Sequence, residues 1–240
     1  MKNKRILTLS VLALFSAAYV SAQTADEVIG KYIQAIGGKD KLSSITSLYI
    51  ESTVDVMGMQ GLVKSTTLNG KGMKQDIDIM GNIITTCYTD QGGWSINPMT
   101  GSASAEDLPE AQYKTGKDNI NIGGPFINYA EKGYKAELEG NETVGDVNAI
   151  KVKITLPDST SSLYFFDPGT YLLIKSIQQA DMQGQMVDNV ITFSDYQETD
   201  GYLAPHKMEI SVAGGQFVMN MAVSKVEINV PVDEAIFVKP

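Results

Sequence analysis

Between residues 24 and 36 the apolar positions fall at helical spacing. Ala25, Val28, Ile29, Tyr32, Ile33 and Ile36 share one face. Thr24 opens the segment, Asp26 and Glu27 suit its first turn, and Gly37-Gly38 ends it. A short helical turn over Lys39–Ile45 follows, and then the period changes to two. Leu48, Ile50, Val54 and Val56 alternate with Tyr49, Glu51, Thr53 and Asp55, which predicts a half-buried strand. Residues 58–61 are read as its turn and Leu62–Leu68 as the return strand, closed by Asn69-Gly70. Met73–Met80, Gly81-Asn82 and Ile83–Tyr88 predict a second hairpin, with Trp94 on a short strand beyond Gly92-Gly93.

The alternation lapses from Ser102 to Gly133. Glu106–Lys114 reads as helical, and Gly123-Gly124-Pro125 precedes the apolar residues Phe126, Ile127, Tyr129 and Ala130. A helical insert between two runs of strand is predicted. In the second run Ile150, Val152, Ile154 and Leu156 alternate with Lys151, Lys153 and Thr155, and Asp167-Pro168-Gly169, Asp200-Gly201 and Gly214-Gly215 mark turns. One strand breaks the rule. Phe217, Met219, Met221 and Val223 are apolar at odd positions, then Val226, Ile228 and Val230 at even ones. Either a β-bulge near Ser224 or a passage between two apolar environments produces such a flip.

The pattern predicts one α+β domain over residues 23–240: about ten to twelve antiparallel strands in a strongly curved sheet, wrapped on an N-terminal helix and a helical insert. Residues 1–22 are set apart from it. Lys2, Lys4 and Arg5 precede the apolar run Ile6–Ala18, and Val20-Ser21-Ala22 forms a small-residue exit. That three-part pattern predicts a secretory signal peptide cleaved after Ala22 and a periplasmic or extracellular location. Thirteen residues at about 1.5 Å each fall short of the roughly 30 Å hydrocarbon core of a membrane.

Charge narrows the function classes. The formal net charge is −9, and removing the leader's three cations leaves −12. Such a balance predicts no nucleic-acid partner. Arg5 is the only arginine, so bidentate guanidinium clamps on phosphate or carboxylate are unavailable after cleavage. One cysteine, Cys87, and one histidine, His206, exclude disulfide scaffolds and multi-histidine metal sites. No metal and no cofactor are expected. His206 has no G-x-S-x-G elbow to serve, and Cys87 reads as core, so no catalytic residue is assigned and no enzyme is expected. Asp76 and Asp78 share a strand face but find no further oxygen ligands at loop spacing. Asn141-Glu142-Thr143 fits a glycosylation sequon and reads more simply as a turn, and Gly123-Gly124 lacks the ending of a phosphate loop.

The methionines carry more information. Ten follow Met1, several of them at strand ends and off the core parity. Methionine adapts to varied apolar partners, so these positions hint at a second apolar surface able to hold a lipid.

The motif order resembles the LolA/LolB-like family of periplasmic lipoprotein-sorting factors, in divergent form. The matching segments are "YIQAIGGKDKL" after the leader, "ITSLYIEST", "YFFDPGTYLLIKSIQ", "FSDYQETDGYLAPHKMEI" and "VEINVPVDEAIFVKP". The resemblance implies an incomplete antiparallel β-barrel of about 11 strands capped by a helical lid at 102–133. It also implies a monomeric carrier that shields lipoprotein acyl chains or lipid, with an inner-membrane donor and an outer-membrane acceptor as partners. Family carriers hold the lid with a strand arginine, which is absent here after the leader. The candidate cavity and lid residues are Met57, Met80, Trp94, Phe126, Ile127, Met219 and Met221. The competing reading is a non-catalytic envelope protein on the same scaffold with its cavity filled by side chains.

Overall fold

The computed structural model describes residues 23–182 and 185–240. The predicted leader lies outside the described residues. Helices α1 (Ala25–Ala35) and α2 (Lys39–Ser44) lead into strands β1 (Ser47–Val56), β2 (Met59–Leu68), β3 (Gly72–Ile79), β4 (Asn82–Thr89), β5 (Gly93–Asn97) and β6 (Ser102–Asp107). Helix α3 (Glu110–Gly116) and two short 3-10 turns, Lys117–Ile120 and Gly124–Phe126, form the insert. Strands β7 (Lys135–Val144), β8 (Val147–Thr155), β9 (Ser161–Phe166), β10 (Leu173–Met182), β11 (Gln185–Thr199), β12 (Tyr202–Val212) and β13 (Phe217–Ile228) follow.

All 13 strands belong to one sheet in the order β6-β5-β4-β3-β2-β1-β13-β12-β11-β10-β9-β8-β7, every ladder antiparallel. The edge strands β6 and β7 do not pair with each other, so the barrel stays open. The count exceeds the expected 11 partly because residues 102–107, expected to leave the sheet, add β6 at one edge, pairing Trp94 with Asp107 and Ser95 with Glu106. The helix predicted from Glu106 begins instead at Glu110, after Pro109.

Two predicted turns move by one or two residues. Met57 (φ 53°) and Gly58 (φ 88°) join β1 to β2, and Met80 (φ 55°) and Gly81 (φ 83°) join β3 to β4. Both central residues are left-handed, the geometry of a two-residue type I′ hairpin. Asp55 Oδ1 accepts from Gly58 N and Asp78 Oδ1 from Gly81 N, each at 2.9 Å.

The apolar flip in β13 is a bulge. Lys225 pairs with Glu51 and Val223 with Ser52, leaving Ser224 as the extra residue, its Oγ donating to Glu51 O. Across it Met219, Met221 and Val223 face the side of Val56, Val54 and Ser52, while Val226 and Ile228 face that of Ile50 and Leu48. The strand stays in one apolar environment, which removes the alternative of two.

Helix α1 packs into the concave face. Its capping box closes its first turn through Thr24 and Glu27. Val28, Ile29, Tyr32 and Ile36 are buried against Val152, Ile154 and Phe166. Tyr32, Phe126, Tyr164 and Phe166 interlock with ring centroids 4.8 to 5.6 Å apart. This aromatic cluster fills one end of the concavity. On the convex face Cys87, Trp94 and Phe237 form a separate small core covered by the C-terminal segment.

Candidate functional site

The side chains of alternate residues divide cleanly between the two faces. On the concave face lie Leu48 and Ile50 of β1, Met73 of β3, Tyr88 of β4, Phe193 of β11, Met208 and Ile210 of β12, and Met219 and Met221 of β13. The register explains the convergence: Phe193 pairs with Met208, Met208 with Met221, and Met221 with Val54. These residues and the insert enclose a groove of ≈ 2120 Å³. Methionines 208, 219 and 221 and Phe193 are only half-buried, because no element of the described chain covers them.

Helix α3 shows how far the sheet curls. Tyr113 Oη donates to Thr89 O of β4, and Gly116 lies so close to Tyr88 that a Cβ there would meet the ring at 2.3 Å. From the same helix Lys114 Nζ reaches Asp158 Oδ2 in the β8–β9 connection at 3.0 Å. The helix also packs against β10, seven places from β4 in the sheet order. Seven spacings span about 33 Å along a sheet, while a seven-residue helix is about 10 Å long. Only a strongly curved sheet lets α3 touch both walls.

The rest of the insert is fastened from below. Asn69, in the β2–β3 turn, donates to Leu42 O and Ile45 O, and its Oδ1 accepts from Ile122 N. Gly70 N donates to Ile120 O. Lys132 Nζ pairs with Asp118 Oδ1 at 2.7 Å. Burial first, and then the Asp118 carboxylate, raise the Tyr134 hydroxyl far above its ordinary pKa. Tyr129 Oη donates to Asp26 Oδ1 of α1; burial and that bond push its pKa up to about 12. The lid thus has no arginine, and lysine, tyrosine and asparagine hold it.

The groove is not uniformly apolar. Gln75, Thr86, Ser176, Gln178 and Asn189 interrupt its surface. Asn189 Oδ1 is buried with no hydrogen-bond partner among the described residues. An acceptor in that state costs roughly 1–3 kcal/mol until a donor reaches it.

Of the seven residues singled out from sequence, Phe126, Met219 and Met221 line the groove. Ile127 packs half-buried against the aromatic cluster behind it. Met57 and Met80 stand at hairpin tips, 69% and 79% exposed. Trp94 faces the other way. It pairs with Cys87 across β4–β5 on the convex face, 6% exposed, and its Nε1 donates to Phe237 O at 2.9 Å. Expected to border the cavity, it is set on the opposite face by strand parity through β4 and β5. Met73, Tyr88, Phe193 and Met208 were missed as a set. The cross-strand register that brings them together links strands far apart in the chain.

The other candidates stay apart. Cys87 is fully buried, its thiol pushed up to about 11 by burial. His206 Nδ1 lies 3.1 Å from Ala204 O, and no nucleophile is paired with it among the described contacts. Asp76 holds Lys74 and Thr85 on the convex face. No group of three metal-ligating side chains occurs among the described residues.

Comparison with solved structures decides the architecture. An outer membrane lipoprotein-sorting protein domain from Vibrio parahaemolyticus superposes with a TM-score of 0.59 at 14% identity, covering 89% of this chain and 97% of that one. The fold is of the LolA type. A LolA superfamily protein from Nitrosomonas europaea gives 0.59 at 14% over 91% and 99% of the two chains. A DUF1329 family protein from Desulfovibrio piger gives 0.59 at 13% over 89% and 96%. No protein-family model matches the sequence, and no curated protein matches it. The likeness to the LolA type therefore lies in the architecture: a curved sheet, a leading helix and a helical insert, carried on a divergent sequence.

Proposed function

We propose that this protein is an exported, non-catalytic carrier that shields the acyl chains of a lipoprotein or lipid in its concave groove. The observation that carries the reading is the unfilled groove of ≈ 2120 Å³, whose floor is built from half-buried Met208, Met219, Met221 and Phe193. A scaffold whose cavity is filled by its own side chains has no such opening. The volume exceeds the roughly 300–1,000 Å³ of an ordinary small-molecule pocket and accommodates more than one acyl chain.

The energetics need no charged contact. Burying methylenes contributes about 0.8 kcal/mol each, so a sixteen-carbon chain gains roughly 10 kcal/mol before ordering costs. Methionine suits such a floor because its thioether repacks around chains of different length. Asn189 Oδ1 offers an acceptor to a hydroxyl or amide N–H at the head of the cargo. Two structural neighbours, an outer membrane lipoprotein-sorting domain and a LolA superfamily protein, support the same class of cargo and an envelope location. The leader pattern supports export.

The test is direct. Protein purified from envelope fractions is extracted with organic solvent and the extract weighed by mass spectrometry, and the stripped protein is titrated with a fluorescent acyl probe. Stoichiometric lipid or saturable probe binding supports the carrier. Neither leaves a scaffold without cargo.

A further inference from the structure

Most of the exposed large apolar side chains of this protein sit together. Met57, Met59, Leu62, Met80, Ile83, Met99, Met186 and Phe217 lie at one end of the sheet, and Leu138 and Val238 lie outside this group. The antiparallel order requires it. The connections β5–β6, β3–β4, β1–β2, β12–β13 and β10–β11 fall at the same end, in succession along the sheet. A sixth connection at that end, β8–β9, is polar and is held by Lys114.

Charge divides the two ends, apart from Asp181 beside the β10–β11 tip. Segments 56–62, 79–84, 96–101 and 212–220 contain no charged residue. At the opposite end the five turns each carry one: Lys71, Asp90, Asp146, Asp167 and Asp200. The turn chemistry differs in the same sense. Asp200 (φ 47°) and Gly201 (φ 78°) build a type I′ turn at the charged end. Met57-Gly58 and Met80-Gly81 adopt the same two left-handed conformations at the apolar end. That geometry favours Asn-Gly or Asp-Gly. Methionine gains nothing locally there, and a broken local rule without local gain marks a functional position.

From these observations we infer that the row of apolar hairpin tips docks on the interface of a lipid bilayer with uncharged or zwitterionic headgroups. The spacing favours a soft partner over a protein. Neighbouring tips are two strand spacings apart, about 10 Å. Each presents one or two flexible side chains, with no exposed Trp, Tyr or Arg anchor of the kind that dominates protein interfaces. A bilayer closes around separate tips without matching a shape. Tight turns also suit the interface, because the Gly58 and Gly81 N–H groups are already satisfied by Asp55 and Asp78. No lysine lies in these segments to seek anionic lipid. The groove's Met219 lies two residues from Phe217, so docking brings the groove beside the membrane. The inference concerns where the protein sits and stands whether or not the groove carries cargo.

The test uses the protein without its leader and a triple variant, Met57→Asn, Met80→Asn and Phe217→Ser. The two Asn-Gly turns preserve the hairpins, so an unchanged or higher Tm for the Met57→Asn/Met80→Asn pair controls for folding. Flotation with phosphatidylcholine vesicles should show binding by the parent chain, little altered by 0.5 M salt (about a 4 Å screening length). The triple variant should lose roughly tenfold or more in partitioning, with acyl-probe binding in vesicle-free buffer unchanged. The inference is overturned if the parent chain does not float. Equal flotation of parent and variant overturns it too, as does binding that requires phosphatidylglycerol and vanishes in salt. Sedimentation showing that the parent dimerises through these tips while the variant stays monomeric assigns the row to a second copy instead.

Discussion

Lys114 Nζ lies 3.0 Å from Asp158 Oδ2, and this contact joins the lid helix to the far wall of the groove. The near wall is joined by Tyr113 and Gly116 on Thr89 and Tyr88. Two walls held by one helix of seven residues make α3 a strap across the open barrel. Its far attachment is half-exposed and breaks more easily than the near one, where Gly116 is buried on an aromatic ring.

Lys114→Ala should therefore loosen the lid more than it destabilises the fold. Solvent screens an ion pair at this exposure and leaves it little net stabilisation, so Tm should change little. Exchange of a bound acyl probe should quicken, read by stopped-flow displacement. A large fall in Tm with unchanged exchange would mean that the pair is structural and the helix does not gate.

The strap should hold across a wide pH range. The Asp158 carboxyl is lowered to about 2, chiefly by the Thr160 backbone N–H and then by Lys114. Its contribution is thus present above the ordinary carboxylate range and lost only as pH falls through about 2. Lys114 is raised, first by Glu110 and then by Asp158, so its contribution is complete below its ordinary pKa and lost as pH rises beyond it. Probe release rates should be flat between about pH 5 and 9. A step near neutrality would point to a different latch.

The convex-face core gives a sharp chemical test. Cys87 Sγ lies 3.6 Å from Phe237 O, under the C-terminal segment. In the native protein the thiol should resist aromatic disulfide reagents. Phe237→Ala should cost about 3 kcal/mol or more and make Cys87 reactive, followed by the rate of thiol labelling. Trp94 should keep a buried emission spectrum that does not shift when an acyl probe fills the groove. A ligand-dependent shift would place cargo on the wrong face of the sheet.

The helix α1, the paired strand runs and the insert were legible because each is set by local spacing of apolar residues and by turn chemistry. The groove was less so. Met219 and Met221 were visible on the strand whose apolar face flips, and Phe126 through the resemblance to the carrier family. Which face Trp94 joined depended on counting parity through β4 and β5, where Cys87 and Trp94 pair on the convex side. The flip at Ser224 was visible in sequence. Only the register against Glu51 and Ser52 resolves it as a bulge. Met57 and Met80 misled for a physical reason. They occupy turn positions where asparagine is expected, so the sequence pattern starts each turn one residue late and leaves the methionines at strand ends.

Asn189 offers an independent probe of what enters the groove. Its Oδ1 is buried without a partner, so Asn189→Leu should leave the fold intact or firmer, since it removes an unsatisfied acceptor. Affinity for an acyl probe with a hydroxyl or amide head should fall severalfold, and affinity for a plain fatty acid should not. Calorimetry of the two ligands separates them. Equal losses would show that Asn189 does not read the head of the cargo.

The central claim is that the groove binds acyl chains, and one titration tests it most directly. Met221 sits on the groove floor between Met208 and Val54. Met221→Glu puts a carboxylate there, half-buried, while leaving the aromatic core around Phe126 untouched. Stripped parent and variant are titrated with the same long-chain fluorescent acyl probe, with circular dichroism to confirm that both are folded. The account predicts saturable binding by the parent, insensitive to salt, and a loss of about tenfold or more in the variant. No saturable binding by the parent, or identical binding by parent and folded variant, would contradict it.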